Sequence, residues 1–465
     1  MTFEIKVRDQ LHREKSITAK QGTALFSAFM EANILLPGNC GGNGTCQACT
    51  VFDCEKERYI KCCKTVIETD MCIQLPFAFQ TQNAPVIHPS DIDFVDRRLG
   101  FAVDLGTTSI GLELYDISSK TLLVSHCILN PQVCYGADVI SRIQYAKSDE
   151  SLKELKALTW NCLFSSMMDM LNALEPASEP SIARIAIAGN TTMLYLLMGY
   201  EVCGLGVYPF KAEHLGAVTV KLNRVVACNA TFSDCMLYAY PGISAFVGSD
   251  IISGACACQL GQKKTYDFLI DFGTNGELYL LNDEKGFCGA TSCGPAFDAY
   301  ISNGNYGTDI LSRIDLLKDR GILSADGLLS ERYQKNGYCF PDGVTIRMRD
   351  IRALQQAKAA IRTGIDLLLE KVGISFQDCN VYLAGNFGFH LELDSAFRLG
   401  LLPEIPKEQI HIVGNSALKG ASLLLFEPEL QRKTANSLVC RSTYYDFANV
   451  PDFQNHFIKA LSFES

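Results

Sequence analysis

The chain has 465 residues, of which 48% are hydrophobic and 20% charged, a composition that excludes a disordered polypeptide and allows two to four domain-sized units. A formal net charge of -10 excludes broad contact with a nucleic-acid backbone, which requires clustered Lys and Arg. No basic amphipathic stretch points to a membrane surface, and no apolar run approaches ~18 residues. The start, Thr2-Phe3-Glu4-Ile5-Lys6-Val7, alternates like a strand and lacks the layout of a secretory leader, so a cytoplasmic location is expected. Twenty cysteines in such a chain read as metal or redox chemistry where they cluster. The scattered ones (Cys127, Cys162, Cys228, Cys379 and Cys440) read as small core residues.

Phe3, Ile5 and Val7 fit one face of a first strand, and residues 23–34 read as a helix with Leu25, Phe26 and Phe29 on one side. A glycine-rich loop follows in which Cys40, Cys46 and Cys49 are spaced C-x5-C-x2-C. Glycine permits the positive φ values and close backbone approach that wrapping a sulfide-bridged cluster demands. A fourth thiolate is required, and Cys62 and Cys63 both offer one, with Cys54 a lesser competitor. Met71-Cys72-Ile73-Gln74-Leu75-Pro76 then reads as a closing strand. Structural zinc prefers two close cysteine pairs, and only Cys46 and Cys49 make one, so iron–sulfur is the better reading. The segment resembles the [2Fe–2S] ferredoxins, which implies an α+β ferredoxin-like (β-grasp) domain over 1–79. Residues 80–98 are polar, carry two prolines and read as a linker.

From Leu99 the pattern changes. Phe101-Ala102-Val103-Asp104-Leu105-Gly106-Thr107-Thr108 is a buried strand ending in an acidic residue and a tight turn. Phe268-Leu269-Ile270-Asp271-Phe272-Gly273-Thr274-Asn275-Gly276 repeats the design. A second element also recurs: Ile185-Ala186-Ile187-Ala188-Gly189-Asn190 is matched by Val381-Tyr382-Leu383-Ala384-Gly385-Asn386-Phe387-Gly388. Such repeats imply two similar lobes, expected over 99–262 and 263–430, facing each other, with the aromatic tail 431–465 packed on the second. Gly-bearing turns offer backbone N–H groups and Thr hydroxyls to phosphate oxygens. The aspartates cannot approach phosphate without repulsion and suit a Mg²⁺-bound water.

The paired hairpins resemble the acetate/sugar kinase, heat-shock chaperone and actin superfamily. That likeness implies an α/β actin-like, two-lobed fold of the duplicated ribonuclease H-like kind, binding ATP with Mg²⁺. On it, Gly106, Thr107, Thr108, Gly273, Thr274, Asn275 and Gly276 would cradle phosphates. Asp104 and Asp271 would be the catalytic pair, orienting Mg²⁺ or the attacking water. Gly385 and Gly388 would pass close to the adenosine. No G-x4-G-K-[ST] is present, so this is not a P-loop protein.

Further blocks narrow the resemblance: Asn130-Pro131-Gln132, Tyr135 through Ile143, Gly189-Asn190-Thr191-Thr192-Met193, Gly294-Pro295-Ala296-Phe297, Asp350-Ile351-Arg352 with Gln356 to Ile361, and Gly414-Asn415-Ser416-Ala417. With the N-terminal segment, they are similar to the ATP-dependent reductive activators of corrinoid proteins. That resemblance implies one-electron reduction of Co(II) to Co(I) in a methyltransferase-system corrinoid protein, a low-potential cellular electron donor and a homodimer. It also favours Cys63 over Cys62 as the fourth ligand, because the last ligand stands a fixed step before a strand ending in Pro. Longer members carry a middle domain, and the ATPase pattern starting at Leu99 leads to the expectation that it is missing here. Other readings are an activator of a radical-type dehydratase or reductase, or a nucleotide-gated redox sensor without turnover. A plain sugar or acid kinase leaves the cluster without a purpose.

Several residues carry two readings. Asp138 and Arg142, spaced i, i+4, suit a structural ion pair as well as a nucleotide contact. Thr291 and Ser292 could offer a hydroxyl near a corrinoid, though a loop turn is the better reading. Cys288, Cys293, Cys256 and Cys258 could share a second cluster between subunits but read better as buried small residues. His390 reads as ordinary packing or solvent contact.

Overall fold

The computed structural model describes residues 2–8, 14–32, 34, 36, 49–75, 86–87, 98–174, 181–273, 275–294 and 307–464. The chain forms two compact units, one of residues 1–214 and 219–238, the other of residues 215–218 and 239–465.

Unit 1 opens with β1 (Thr2–Arg8), β2 (Glu14–Lys20), α1 (Leu25–Glu31), β3 (Thr50–Asp53), β4 (Arg58–Lys61) and β5 (Met71–Gln74). They make a five-stranded sheet in the order β2-β1-β5-β3-β4, parallel between β1 and β5 and antiparallel elsewhere. Alternation works as the sequence dictates: Ile5 and Val7 on β1, Val51 on β3 and Ile73 on β5 bury one face against Leu25 and Phe29 of α1.

A second sheet follows: β6 (Val86–Ile87), β7 (Leu99–Leu105), β8 (Ser109–Asp116) and β9 (Thr121–Leu129), then α2 (Val139–Tyr145), α3 (Asp149–Asn172), β10 (Ile182–Gly189), α4 (Thr191–Met198), β11 (Val218–Lys221) and β12 (Met236–Ala239). Its strand order is β11-β12-β10-β7-β8-β9-β6. The segment read as a linker contributes β6, whose Val86 and Ile87 pair antiparallel with β9 at the sheet edge.

Unit 2 contains α5 (Ser249–Ala257), β13 (Tyr266–Phe272), β14 (Asn275–Leu281), β15 (Gly286–Ser292), α6 (Gly307–Asp319), α7 (Glu331–Gln334), β16 (Tyr338–Cys339), β17 (Thr345–Ile346) and α8 (Met348–Val372). It continues with β18 (Cys379–Ala384), α9 (Gly385–Phe389), α10 (Leu393–Arg398), β19 (Ile410–Gly414), α11 (Ser416–Phe426), α12 (Pro428–Cys440), β20 (Ser442–Tyr444) and α13 (Phe453–Ala460). The main sheet runs β19-β18-β13-β14-β15-β20.

The repeat seen in sequence is a repeat of topology. In each of these sheets an antiparallel three-strand meander, β7-β8-β9 or β13-β14-β15, is extended from its first strand by a parallel neighbour, β10 or β18. One face of the unit 2 sheet, with Phe268, Ile270, Leu278 and Leu280, belongs to the core that includes Ile361, Ile365 and Leu368 of α8. On the other face Leu269 meets α5: a Cβ on Gly254 would stand 3.4 Å from its Cδ2. Helices α5 and α11 approach so closely that a Cβ on Gly420 would lie 2.1 Å from the Ser253 carbonyl oxygen. The break between units therefore falls near Ala239, and α5 sits with the second unit rather than with the first repeat.

The tail closes on unit 2. Tyr445, Phe453 and Phe457 pack on its core, and Phe463 is fully buried. Gln355 and Lys358 of α8 and Lys318 of α6 donate to the carbonyls of Leu461, Ser462 and Phe463 respectively. Burial and the nearby Arg362 and Lys318 push the Lys358 ammonium down to about 7. Among the described residues no helix is long and apolar enough to cross a membrane.

One sequence expectation about thiols needs correction. Cys127 and Cys440 are exposed and Cys162 and Cys228 half-buried; of the scattered set only Cys379 is buried. Cys127 falls on the outward phase of β9. Cys256, Cys288 and Cys293 are buried and Cys258 half-buried.

Candidate functional site

The described thiols of the first domain sort themselves by direction. Cys49 forms the turn entering β3, and Cys62–Lys64 is a single 3-10 turn leaving β4. The Cys62 N–H donates to the Cys49 carbonyl at 3.1 Å, which locks the two segments together. Cys62 is fully buried in the apolar core, where burial pushes its thiol far up, and Cys63 is half-buried at the edge of that core. The Sγ atoms of Cys63 and Cys49 lie 3.3 Å apart. Cys54 belongs to the opposite end of β3, where its N–H donates to the Cys72 carbonyl at 2.8 Å. Cys40 and Cys46 lie outside the described residues, and among the described ones no group of three or more His, Cys, Asp or Glu side chains is placed to hold a metal.

The first hairpin turn is held from behind by side chains far away in sequence. Strand β7 is buried throughout except at half-buried Asp104, and Gly106 follows where a Cβ would stand 2.6 Å from the Ser109 carbonyl oxygen. Buried Asn130 donates through Nδ2 to the Gly106 carbonyl and through its backbone N–H to the Thr108 carbonyl, both at 2.8 Å. Asn190, which caps α4, donates to the Thr107 hydroxyl at 3.0 Å. Arg142 is fully buried and donates to the carbonyls of Thr107 at 2.5 Å and Gly136 at 2.9 Å. Burial pushes its guanidinium down to about 9. Asp138 instead caps α2 by accepting from the Ser141 N–H. Arg142 therefore braces the turn instead of pairing with Asp138. The blocks around Asn130, Arg142 and Asn190 thus converge on Gly106, Thr107 and Thr108.

The second hairpin is packed more tightly. The Gly273 N–H donates to the Asn275 carbonyl at 3.0 Å, and a Cβ on Gly276 would meet Ile361 of α8 at 2.2 Å and Cys293 Sγ at 2.8 Å. Thr291 spends its hydroxyl on the Gly276 carbonyl at 3.3 Å, while Ser292 is exposed at the end of β15. Thr274 lies outside the described residues. Gly385 opens α9 with φ +80°, and a Cβ there would stand 2.5 Å from the Phe272 carbonyl oxygen and 2.8 Å from Asp271 Oδ1. Gly388 packs on the Phe272 ring, 3.2 Å from its would-be Cβ. Asp271, Gly273, Asn275, Gly276, Gly385 and Gly388 therefore gather at one end of the unit 2 sheet. His390 is exposed, edge-on to Phe389.

Two acidic residues were not singled out in the sequence. Glu277 pairs directly with Asp271 across the hairpin and is buried. Burial, then Asp250 of α5 and Asp271, push its carboxyl well up. Its signal was a lone charge preceding the apolar run Leu278-Tyr279-Leu280-Leu281.

Comparisons with known proteins agree with this architecture. Residues 99–263 match the RACo middle region, and residues 313–465 match the C-terminal domain of RACo, the ASKHA domain. The first match overturns the expectation that the middle region is missing: the stretch beginning at Leu99 is that region. The chain is 29% identical over 415 residues to corrinoid activation enzyme RamQ of Eubacterium limosum, covering 76% of this chain and 68% of that one. It is 22% identical over 423 residues to the [Co(II) methylated amine-specific corrinoid protein] reductase of Methanosarcina barkeri, covering 78% and 77%. A solved reductive activator for corrinoid, iron-sulfur protein superposes with a TM-score of 0.71 at 21% identity, over 99% of this chain and 98% of that one. Both RACo regions are therefore present in this chain, and its fold over the whole length is that of the solved reductive activator for corrinoid, iron-sulfur protein.

Proposed function

We propose that the protein is an ATP-hydrolysing reductive activase that returns a corrinoid protein from Co(II) to Co(I) by one-electron transfer. The observation that carries this reading is the twofold recurrence of an acidic-ended first strand and glycine turn on matching sheet positions, in a chain whose first domain sets Cys49 Sγ beside Cys63 Sγ. Asp104 with Gly106, Thr107 and Thr108, and Asp271 with Gly273, Thr274, Asn275 and Gly276, would bind the ATP phosphates and order the water that attacks them. Gly385 and Gly388 would let the adenosine approach the backbone. Mg²⁺ would be carried in with the nucleotide, mainly through its own waters.

The donor set fits a [2Fe–2S] centre. Two thiols, Cys49 and Cys63, already converge at 3.3 Å, and Cys40 and Cys46 precede Cys49 at the expected spacing. Cys40, Cys46, Cys49 and Cys63 would hold it. When bound, it supplies a one-electron carrier at low potential. The chain's own contribution there is geometric: β3 and the 3-10 turn after β4 fix two ligands against a packed core, and the buried Cys62 thiol keeps that turn in place.

Coupling to ATP follows from the energetics. For one electron, each ~59 mV uphill costs about 1.4 kcal/mol, so a gap of a few hundred millivolts requires several kcal/mol. Nucleotide binding or hydrolysis can supply that only by acting on the complex with the corrinoid protein. A low-potential donor, the cytoplasm and a homodimer belong to the same reading. The test is to mix reduced protein with a Co(II) corrinoid protein of a methyltransferase system, with and without ATP, and to follow Co(I) absorbance. Tight ATP binding with no turnover in the presence of that partner would instead identify a nucleotide-gated sensor.

A further inference from the structure

Across the unit 2 sheet, Ala384, Asp271, Glu277 and Ala290 stand in one row on neighbouring strands, so their side chains leave the same face. That face is the one Leu269 shares with α5, where Gly254 meets it. Asp250 lies four residues before Gly254 and so on the same side of α5, over the two carboxyls. Alanines on both sides leave the acidic pair uncrowded. Glu277 is 8% exposed, and among the described residues its only hydrogen-bond partner is its own backbone N–H. From the facing helix α11, the Ser416 hydroxyl is buried against Gly254 with no partner of its own. A buried carboxyl facing two others, with no cation beside it among the described residues, weakens a fold. Groups of this kind concentrate where a reaction uses them.

We propose that Glu277 is the residue that takes up the proton released when water attacks the γ-phosphate of ATP, acting behind Asp271, with Asp250 confining it. This rests on the nucleotide reading of the hairpin. The balance is simple. The water oxygen bonds to phosphorus, the bond to the bridging oxygen of ADP breaks, and the water proton passes to the Glu277 carboxylate, directly or through Asp271, before leaving to solvent. A carboxyl shielded from water beside other carboxyls holds a proton more firmly than an exposed one, which suits a group that finishes the step protonated.

The test uses the full-length, cluster-loaded protein with the substitutions Glu277→Gln and Glu277→Asp. Glu277→Gln keeps the shape and removes the acid. It should lower kcat for ATP hydrolysis at least tenfold, leave the KM for ATP within about threefold, and raise Tm, because a buried acid that costs stability whenever it ionises beside like charges is gone. Glu277→Asp should recover part of kcat. Opposite signs of stability and activity are not expected of a residue that merely holds the fold. Unchanged kcat in Glu277→Gln, or a fall in kcat and Tm together in both variants, overturns the assignment. If the wild type itself hydrolyses no ATP with its partner present, the nucleotide reading fails first, and this inference with it.

Discussion

Cys49 Sγ and Cys63 Sγ stand 3.3 Å apart across the mouth of β3 and β4, while the intervening neighbour in sequence, Cys62, is fully buried. Both Cys62 and Cys63 lie on a single 3-10 turn, of which only Cys62 is buried. Cys63→Ser should therefore abolish the visible and EPR signals of the reconstituted centre. Cys62→Ser should keep them and lower Tm instead, since it places a hydroxyl in an apolar core at a cost of about 1–3 kcal/mol. Equal loss of signal in both variants would contradict the assignment.

Arg142 braces the turn of Gly106, Thr107 and Thr108 without reaching solvent. Arg142→Met leaves the Thr107 and Gly136 carbonyls without this donor, at about 1–3 kcal/mol for each buried group. Nucleotide affinity should fall along with Tm. Arg142→Lys should recover little, because one ammonium cannot span acceptors placed for a fork. Thermal melting and calorimetric ATP titration read both effects.

Gly385 is held at φ +80° with the Phe272 carbonyl at its side. Gly385→Ala adds left-handed strain of about 1–2 kcal/mol and a contact of 2.5 Å to that carbonyl. The end of β13 must shift, carrying Asp271 with it. ATP turnover should drop at least tenfold. Gly373→Ala, also at positive φ but with nothing within 4 Å, is the control for strain alone and should spare turnover.

Much of this was legible in the sequence because it is periodic or local. Alternation placed Ile5 and Val7 inward, and the repeated Asp-x-Gly turn gave both meanders. What stayed hidden was long-range. Nothing in the i, i+4 spacing of Asp138 and Arg142 indicates that Arg142 reaches back to the Thr107 carbonyl instead of the acid on its own helix. The choice between Cys62 and Cys63 depends on which way one 3-10 turn faces, which needs the packed core. Glu277 was overlooked because a single charge at a strand start is unremarkable until Asp271 and Asp250 are seen around it. Val86 and Ile87 were hidden in a polar segment too short to show a period.

Lys358 gives a pH signature. Its folded value near 7 lies below the ordinary 10.5, so over that interval the unfolded chain holds more protons and stability rises with pH. The slope from this group is at most about 1.4 kcal/mol per pH unit. Lys358→Met removes it. The variant should therefore gain relative to wild type towards neutral pH and lose that advantage in alkaline buffer, as read by denaturant midpoints across the range. A constant offset between the two proteins would contradict the buried, cationic placement beneath the Ser462 carbonyl.

The most direct measurement follows Co(I) absorbance when the anaerobically reduced protein meets a Co(II) corrinoid protein. The account predicts Co(I) accumulation that requires ATP and is lost both in Cys63→Ser and in Gly385→Ala, which break the electron path and the nucleotide clamp separately. Equal Co(I) formation with and without ATP, or undiminished formation in either variant, would contradict it.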